Sequence, residues 1–187
     1  MAIKVYIDQG HNPRNPNAGA EGNGLREQDI TYDIGLRVAA RLRARGIETR
    51  LSRPNASTQL GTSNASSLAA RVNDANSWNA DYFVSLHTNA AANTSASGSE
   101  AYVYRNSGSA ASLARNILTQ LNISTGLKNR GVFSRPTLYV LKKTKMPAVL
   151  VELGFITNQS DAALMRDSPE LFAEGVANGI FAELGIL

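Results

Sequence analysis

Apolar and polar positions alternate in blocks along the chain, and the blocks predict strands and helices in turn. Residues 3–7 form a short β-branched run that reads as a strand. Residues 8–24 are rich in Asn, Gly and Pro and read as a loop, with Gly22-Asn23-Gly24 as flexible chain rather than a phosphate cradle. Residues 27–45 read as a helix, because Ile30, Ile34, Val38 and Leu42 recur every four positions and Gly46 suits the stop. Residues 47–51 are a second strand, and the polar stretch 52–67 is a long loop. Leu68, Val72 and Ala75 predict a helix over 68–78, followed by a strand over 82–86.

Small residues over 89–99 predict another loop, followed by a strand over 100–104 and a helix over 109–121 through Leu113, Ile117 and Leu121. Residues 138–141 and 148–153 read as two more strands. Ser168-Pro169-Glu170 has the form of a helix start, and Phe172, Val176, Ile180 and Leu184 carry that helix to Gly185. There is no internal repeat. The alternation predicts an α/β fold, a mostly parallel sheet with helices on both faces.

Composition narrows this picture. The chain has 187 residues, the length of one domain, with 43% apolar and 18% charged residues. It has no cysteine, which excludes disulfides, thiolate metal sites and cysteine nucleophiles. No apolar run is long enough for a membrane span, and the opening Met1-Ala2-Ile3-Lys4-Val5 does not resemble a signal peptide. The net charge is +4 with a pI near 9.6, which favours an anionic partner. Aromatic and basic residues are not interleaved as in a single-strand nucleic-acid binder, so no nucleic-acid partner is expected. Arg37, Arg41, Arg43 and Arg45 fall on one predicted helix and read as a solvated face. A monomer is expected.

The chain has two histidines, and both follow predicted strands: His11 after Val5-Tyr6-Ile7-Asp8-Gln9-Gly10, and His87 after Phe83-Val84-Ser85-Leu86. A third strand carries an acid near its end, Val149-Leu150-Val151-Glu152. Ligand sites in open α/β sheets lie beyond the carboxyl ends of the strands. Two imidazoles and carboxylates gathered there suit a zinc hydrolase, since catalytic zinc is often held by two His and one Glu. A separate carboxylate then serves as general base. Glu21 and Glu27 are the candidate acidic ligands, and Glu27 is the better anchored of the two, at the mouth of a helix. Glu152 could instead pair with a buried arginine, Arg53 or Arg71. Neither an HExxH helix nor a GxSxG elbow is present.

These residues carry a resemblance over nearly the whole chain. Asp8-Gln9-Gly10-His11 resembles the opening Asp-Pro-Gly-His of the zinc-dependent N-acetylmuramoyl-L-alanine amidases of the Amidase_3 family, with Gln9 in place of proline. Gly24-Leu25-Arg26-Glu27 resembles the family's Gly-x-x-Glu. Arg71 and the block from Ala80 to Ala90 resemble its central block ending in Ser-x-His-x-Asn. Asn129-Arg130-Gly131-Val132 and the block from Met146 to Asn158 resemble its last two blocks.

The resemblance implies that His11, Glu27 and His87 bind zinc and that Glu152 is the catalytic acid/base. It implies a six-stranded, mostly parallel sheet and a single catalytic domain over 1–187. The implied substrate is peptidoglycan in the bacterial cell wall, cut between N-acetylmuramic acid and L-alanine. Loops 52–67 and 89–99 are expected to rim the substrate groove. Two other classes share some of these features. A zinc carboxypeptidase would need an arginine clamp for a terminal carboxylate, such as Arg130 or Arg135. A non-catalytic wall-binding module would not need Glu152.

Overall fold

The computed structural model describes residues 2–187; Met1, the first residue of the opening stretch, lies outside the described residues. The main sheet has six strands: β1 (Lys4–Gln9), β4 (Glu48–Leu51), β5 (Tyr82–Asn89), β6 (Ser99–Val103), β7 (Asn129–Ser134) and β8 (Ala148–Phe155). Their spatial order is β4-β1-β5-β8-β6-β7, and every neighbouring pair is parallel except β6 and β8. The remaining strands, β2 (Glu21–Gly22) and β3 (Leu25–Arg26), form a small hairpin. Its turn residues Asn23 and Gly24 both have positive φ, as a two-residue hairpin connection requires. The stretch read as flexible loop is therefore ordered by its Asn-Gly pair.

Alternation along the strands divides the interior into two cores. Val5, Ile7, Val84, Leu86, Val149 and Val151 face the larger core. There they meet α1 (Glu27–Ala44), α3 (Gly108–Thr125) and α6 (Pro169–Glu183). Tyr6, Phe83, Ala148 and Leu150 face the smaller core, under α2 (Asn64–Ser77) and α4 (Tyr139–Lys143). In α1 the four-residue repeat of Ile30, Ile34, Val38 and Leu42 is buried as its spacing predicts. The helices α3 and α6 approach closely because α6 is notched by glycine. A Cβ on Gly179 would lie 2.3 Å from Ile117 Cα.

Five local expectations are corrected. The helix read from Leu68 starts at Asn64. Ser63 and Ser66 form a reciprocal capping box, and the apolar spacing begins only a turn later. Residues 138–141 are not a strand; they open the helical turn α4, a case in which a four-residue apolar run does not distinguish strand from helix. The edge strand β7 was not expected, since its residues are mostly exposed and it lacks an apolar run. The short helix α5 (Gln159–Asp167), capped by the Asn158 side chain, was also unforeseen. The arginines of α1 are not simply solvated. Arg37 pairs with Asp33 and Glu170, and Arg41 reaches Glu170 and Glu174, tying α1 to α6. No helix among the described residues is long and apolar enough to cross a membrane.

Candidate active site

The strand directions set the site. The carboxyl ends of β1, β5 and β8 meet the amino ends of β6 and β7 at one edge of the sheet. From β1 to β7, that edge carries His11, His87, Glu152, Glu100 and Arg130.

His11 lies two residues beyond β1 and is held at φ 67°. A non-glycine residue in that region costs about 1–3 kcal/mol and needs support from its surroundings. Arg71 of α2 supplies it, donating to the His11 carbonyl at 2.7 Å, to the Gln9 carbonyl at 2.7 Å and to Asp8 Oδ1 at 2.6 Å. Ser85 donates to the other Asp8 oxygen at 2.7 Å. Burial works against the Asp8 charge. The Arg71 guanidinium and the two hydrogen bonds outweigh it and hold the carboxyl below its usual range. Asn12 fastens the next turn through Pro16 and Leu60.

Gln9 replaces the proline of the resembling motif and uses groups that proline lacks. Its backbone N–H donates to Ser52 Oγ, its side-chain amide donates to the Tyr32 carbonyl, and its Oε1 accepts from Arg53 N–H. Gly10 lets this loop lie against β5. A Cβ there would stand 2.5 Å from the Leu86 carbonyl and 2.6 Å from the His87 ring.

Glu27 is the first residue of α1, where the helix dipole favours an anion. Its carboxylate is 4% exposed and accepts backbone N–H bonds from Ala20 and Thr88, both at 2.9 Å. One oxygen lies 3.1 Å from His11 Nε2, the other 3.1 Å from His87 Nδ1. Burial opposes its charge, but the hydrogen bonds to both imidazoles prevail and keep it ionised well below the usual carboxylate range.

Ligand atoms of His11, Glu27 and His87 all lie within 4.8 Å of one another. The two 3.1 Å separations run to different Glu27 oxygens, and the cluster gathers two imidazoles and one carboxylate, a donor set that catalytic zinc commonly uses. Glu21 does not join the cluster; it is exposed on β2, with Arg26 3.9 Å away.

Glu152 sits in register with His87 across β5 and β8. Its Oε2 is buried without a hydrogen-bond partner. Burial, helped by the charges of Glu27 and Glu100, pushes its carboxyl up to about 8. The expected alternative pairing is corrected: Arg71 is committed to Asp8, and Arg53 stacks on Tyr32 and donates to the Gln28 carbonyl. Sequence reasoning missed the Asp8–Arg71–His11 support. An acid and an arginine in buried positions were its only signal.

An α/β sheet with two imidazoles and an ionised carboxylate at its edge, and a protonatable carboxyl beside them, has the donor set of a one-metal hydrolase. The family model described as N-acetylmuramoyl-L-alanine amidase matches residues 5–182, and the chain belongs to that family. The chain is 41% identical over 167 residues to N-acetylmuramoyl-L-alanine amidase LytC of Bacillus subtilis (strain 168), covering 88% of this chain and 32% of LytC. It thus spans about a third of that protein's length.

Two solved structures share the fold. The catalytic domain of CwlV, an N-acetylmuramoyl-L-alanine amidase from Bacillus (Paenibacillus) polymyxa var. colistinus, superposes with a TM-score of 0.86 at 29% identity, covering 99% of each chain. N-acetylmuramoyl-L-alanine amidase AmiC2 of Nostoc punctiforme gives 0.85 at 34% identity, covering 98% of this chain and 97% of that one.

Proposed function

We propose that residues 1–187 form a zinc-dependent N-acetylmuramoyl-L-alanine amidase domain that acts on peptidoglycan at the bacterial cell wall. The observation that carries this reading is the convergence of His11, Glu27 and His87 within 4.8 Å, beside a carboxyl with an unpartnered buried oxygen. Family membership supplies the bond to be cut.

His11 Nε2, His87 Nδ1 and a Glu27 oxygen would hold the ion. When bound, zinc supplies Lewis-acid polarisation of the scissile carbonyl and acidifies water. The protein does the rest. The backbone N–H groups of Ala20 and Thr88 orient the Glu27 carboxylate and favour its ionised form. The Asp8–Arg71 pair keeps His11 in its strained turn. Glu152 takes one proton from the attacking water as its oxygen adds to the lactyl carbonyl carbon. On collapse the C–N bond breaks, and Glu152 returns that proton to the alanine nitrogen. The second water proton stays on the new carboxyl group until it is released to the solvent or the product amine, which leaves a muramoyl carboxylate and a peptide with a free amino terminus. The raised proton affinity of Glu152 suits a group that must carry a proton between these steps.

The carboxypeptidase reading gains little. Arg135 lies over the Tyr102 ring, and the matching family model is that of an amidase. A digest of purified peptidoglycan decides the matter. New amino groups are labelled, the digest is hydrolysed, and the labelled residues are identified. The amidase reading expects labelled L-alanine, stem peptides released whole and no new reducing sugar ends. Free terminal amino acids without labelled L-alanine would instead support a carboxypeptidase.

A further inference from the structure

The row of charged side chains at the catalytic edge continues past Glu152 to Arg130, and the proposed reaction leaves Arg130 without a role. Arg130 sits at an irregularity in the β6–β7 ladder. Ser99 pairs with Asn129, but Ala101 pairs with Val132, so two β7 residues oppose Glu100. Such bulges re-aim side chains and are frequent beside active sites. The guanidinium is held on three sides: Nε donates to Glu100 Oε2 at 2.8 Å, Nη1 donates to the Ser97 carbonyl at 3.2 Å, and the group lies 4.9 Å from the Phe155 ring centre. Glu100 is itself fixed by Asn89 and Tyr102. Among the described residues Nη2 makes no hydrogen bond, and the side chain remains 34% exposed.

A rigid arginine with a free terminal nitrogen on a reaction edge is suited to bind a carboxylate. Charge selects the side of the substrate. In a muramoyl peptide the lactyl carboxyl is consumed by the scissile amide, so the free carboxylates belong to the peptide. Reach selects the position. β7 lies two strands from β8, about 10 Å. Two extended residues span about 7 Å, and the arginine side chain covers the remainder. On the amidase reading, we propose that Arg130 is a specificity-determining residue that binds the free carboxylate of the second stem-peptide residue, with Glu100 as its positioning residue.

The test compares two synthetic muramoyl-tripeptides that differ only at that carboxylate, one free and one converted to the carboxamide. Both are given to the zinc-loaded protein and to Arg130→Gln and Arg130→Lys. The wild-type protein is expected to favour the free carboxylate in kcat/KM by at least about tenfold, the scale of one charge-assisted hydrogen bond. The preference should lie mainly in KM. Arg130→Gln should bring the ratio near one, and Arg130→Lys should leave it in between. A purely structural clamp between β6 and β7 would lower both substrates alike and keep the ratio. Equal use of the two substrates by the wild-type protein, which needs no variant, would overturn the proposal, as would an unchanged ratio in Arg130→Gln. Cleavage of neither substrate by the wild-type protein would count against the amidase reading itself.

Discussion

Glu152 and Glu100 face one another across β8 and β6, yet their surroundings shift their proton affinities in opposite directions. Glu100 accepts hydrogen bonds from Asn89, Tyr102 and Arg130, which outweigh its burial and keep it ionised. Glu152 has no such donors, so burial and its acidic neighbours leave it ready to hold a proton. On the proposed mechanism, Glu152→Gln keeps the shape but removes the proton carrier. Its turnover should fall by about 10²–10⁴ with zinc still bound, measured as release of stem peptide. Asp8 makes a second, structural prediction. Its carboxyl is held below the unfolded value, so its contribution to stability is full above pH ~4 and is lost as pH falls through the lower, folded value. Thermal melts should show the wild-type midpoint dropping below pH 4. Asp8→Asn leaves Arg71 buried without its counter-charge. It should be less stable by about 3–5 kcal/mol at pH 7 and show a flatter acid profile.

At the scale of elements, the interior helices and strands were legible because burial imposes a period. The four-residue stripe of α1 and the apolar runs of β1, β5 and β8 need no tertiary information. The edge element β7 was not legible. Half of its partners are water, so its sequence Asn-Arg-Gly-Val-Phe-Ser carries no alternation. The helical turn α4 failed for another reason: Val140 and Leu141 are buried under α2, and burial marks them as apolar without saying which period they follow. The α3–α6 contact makes a prediction of its own. Gly179→Ala forces a methyl group against the Ile117 backbone, with the nearest approach 2.3 Å, and there is no flexible neighbour to yield. It should cost about 1–3 kcal/mol in denaturant unfolding without changing zinc content.

For the molecule as a whole, function follows from where the helices stop. The helices α2 and α4 cover β1, β5 and the start of β8, while Phe133 on β7 remains 44% exposed. The edge that carries the candidate site lies where the covered and open parts of that face meet. The histidines were legible as a pair because each stands toward the carboxyl end of a strand, His11 just past β1 and His87 in the last residues of β5, and Glu27 because it opens a helix. The support behind them was not, since Arg71 reaches Asp8 across 63 positions of sequence and spacing gives no sign of such a pairing. The central claim is that His11, Glu27 and His87 hold one zinc ion while Glu152 stands outside the ligand set. Its most direct test is zinc content after chelator stripping and reloading, with the wild-type protein, Glu152→Gln and His87→Ala measured side by side. The account predicts one equivalent in the wild-type protein and in Glu152→Gln, and none retained by His87→Ala. A full equivalent in folded His87→Ala, or loss of zinc from Glu152→Gln, would contradict it.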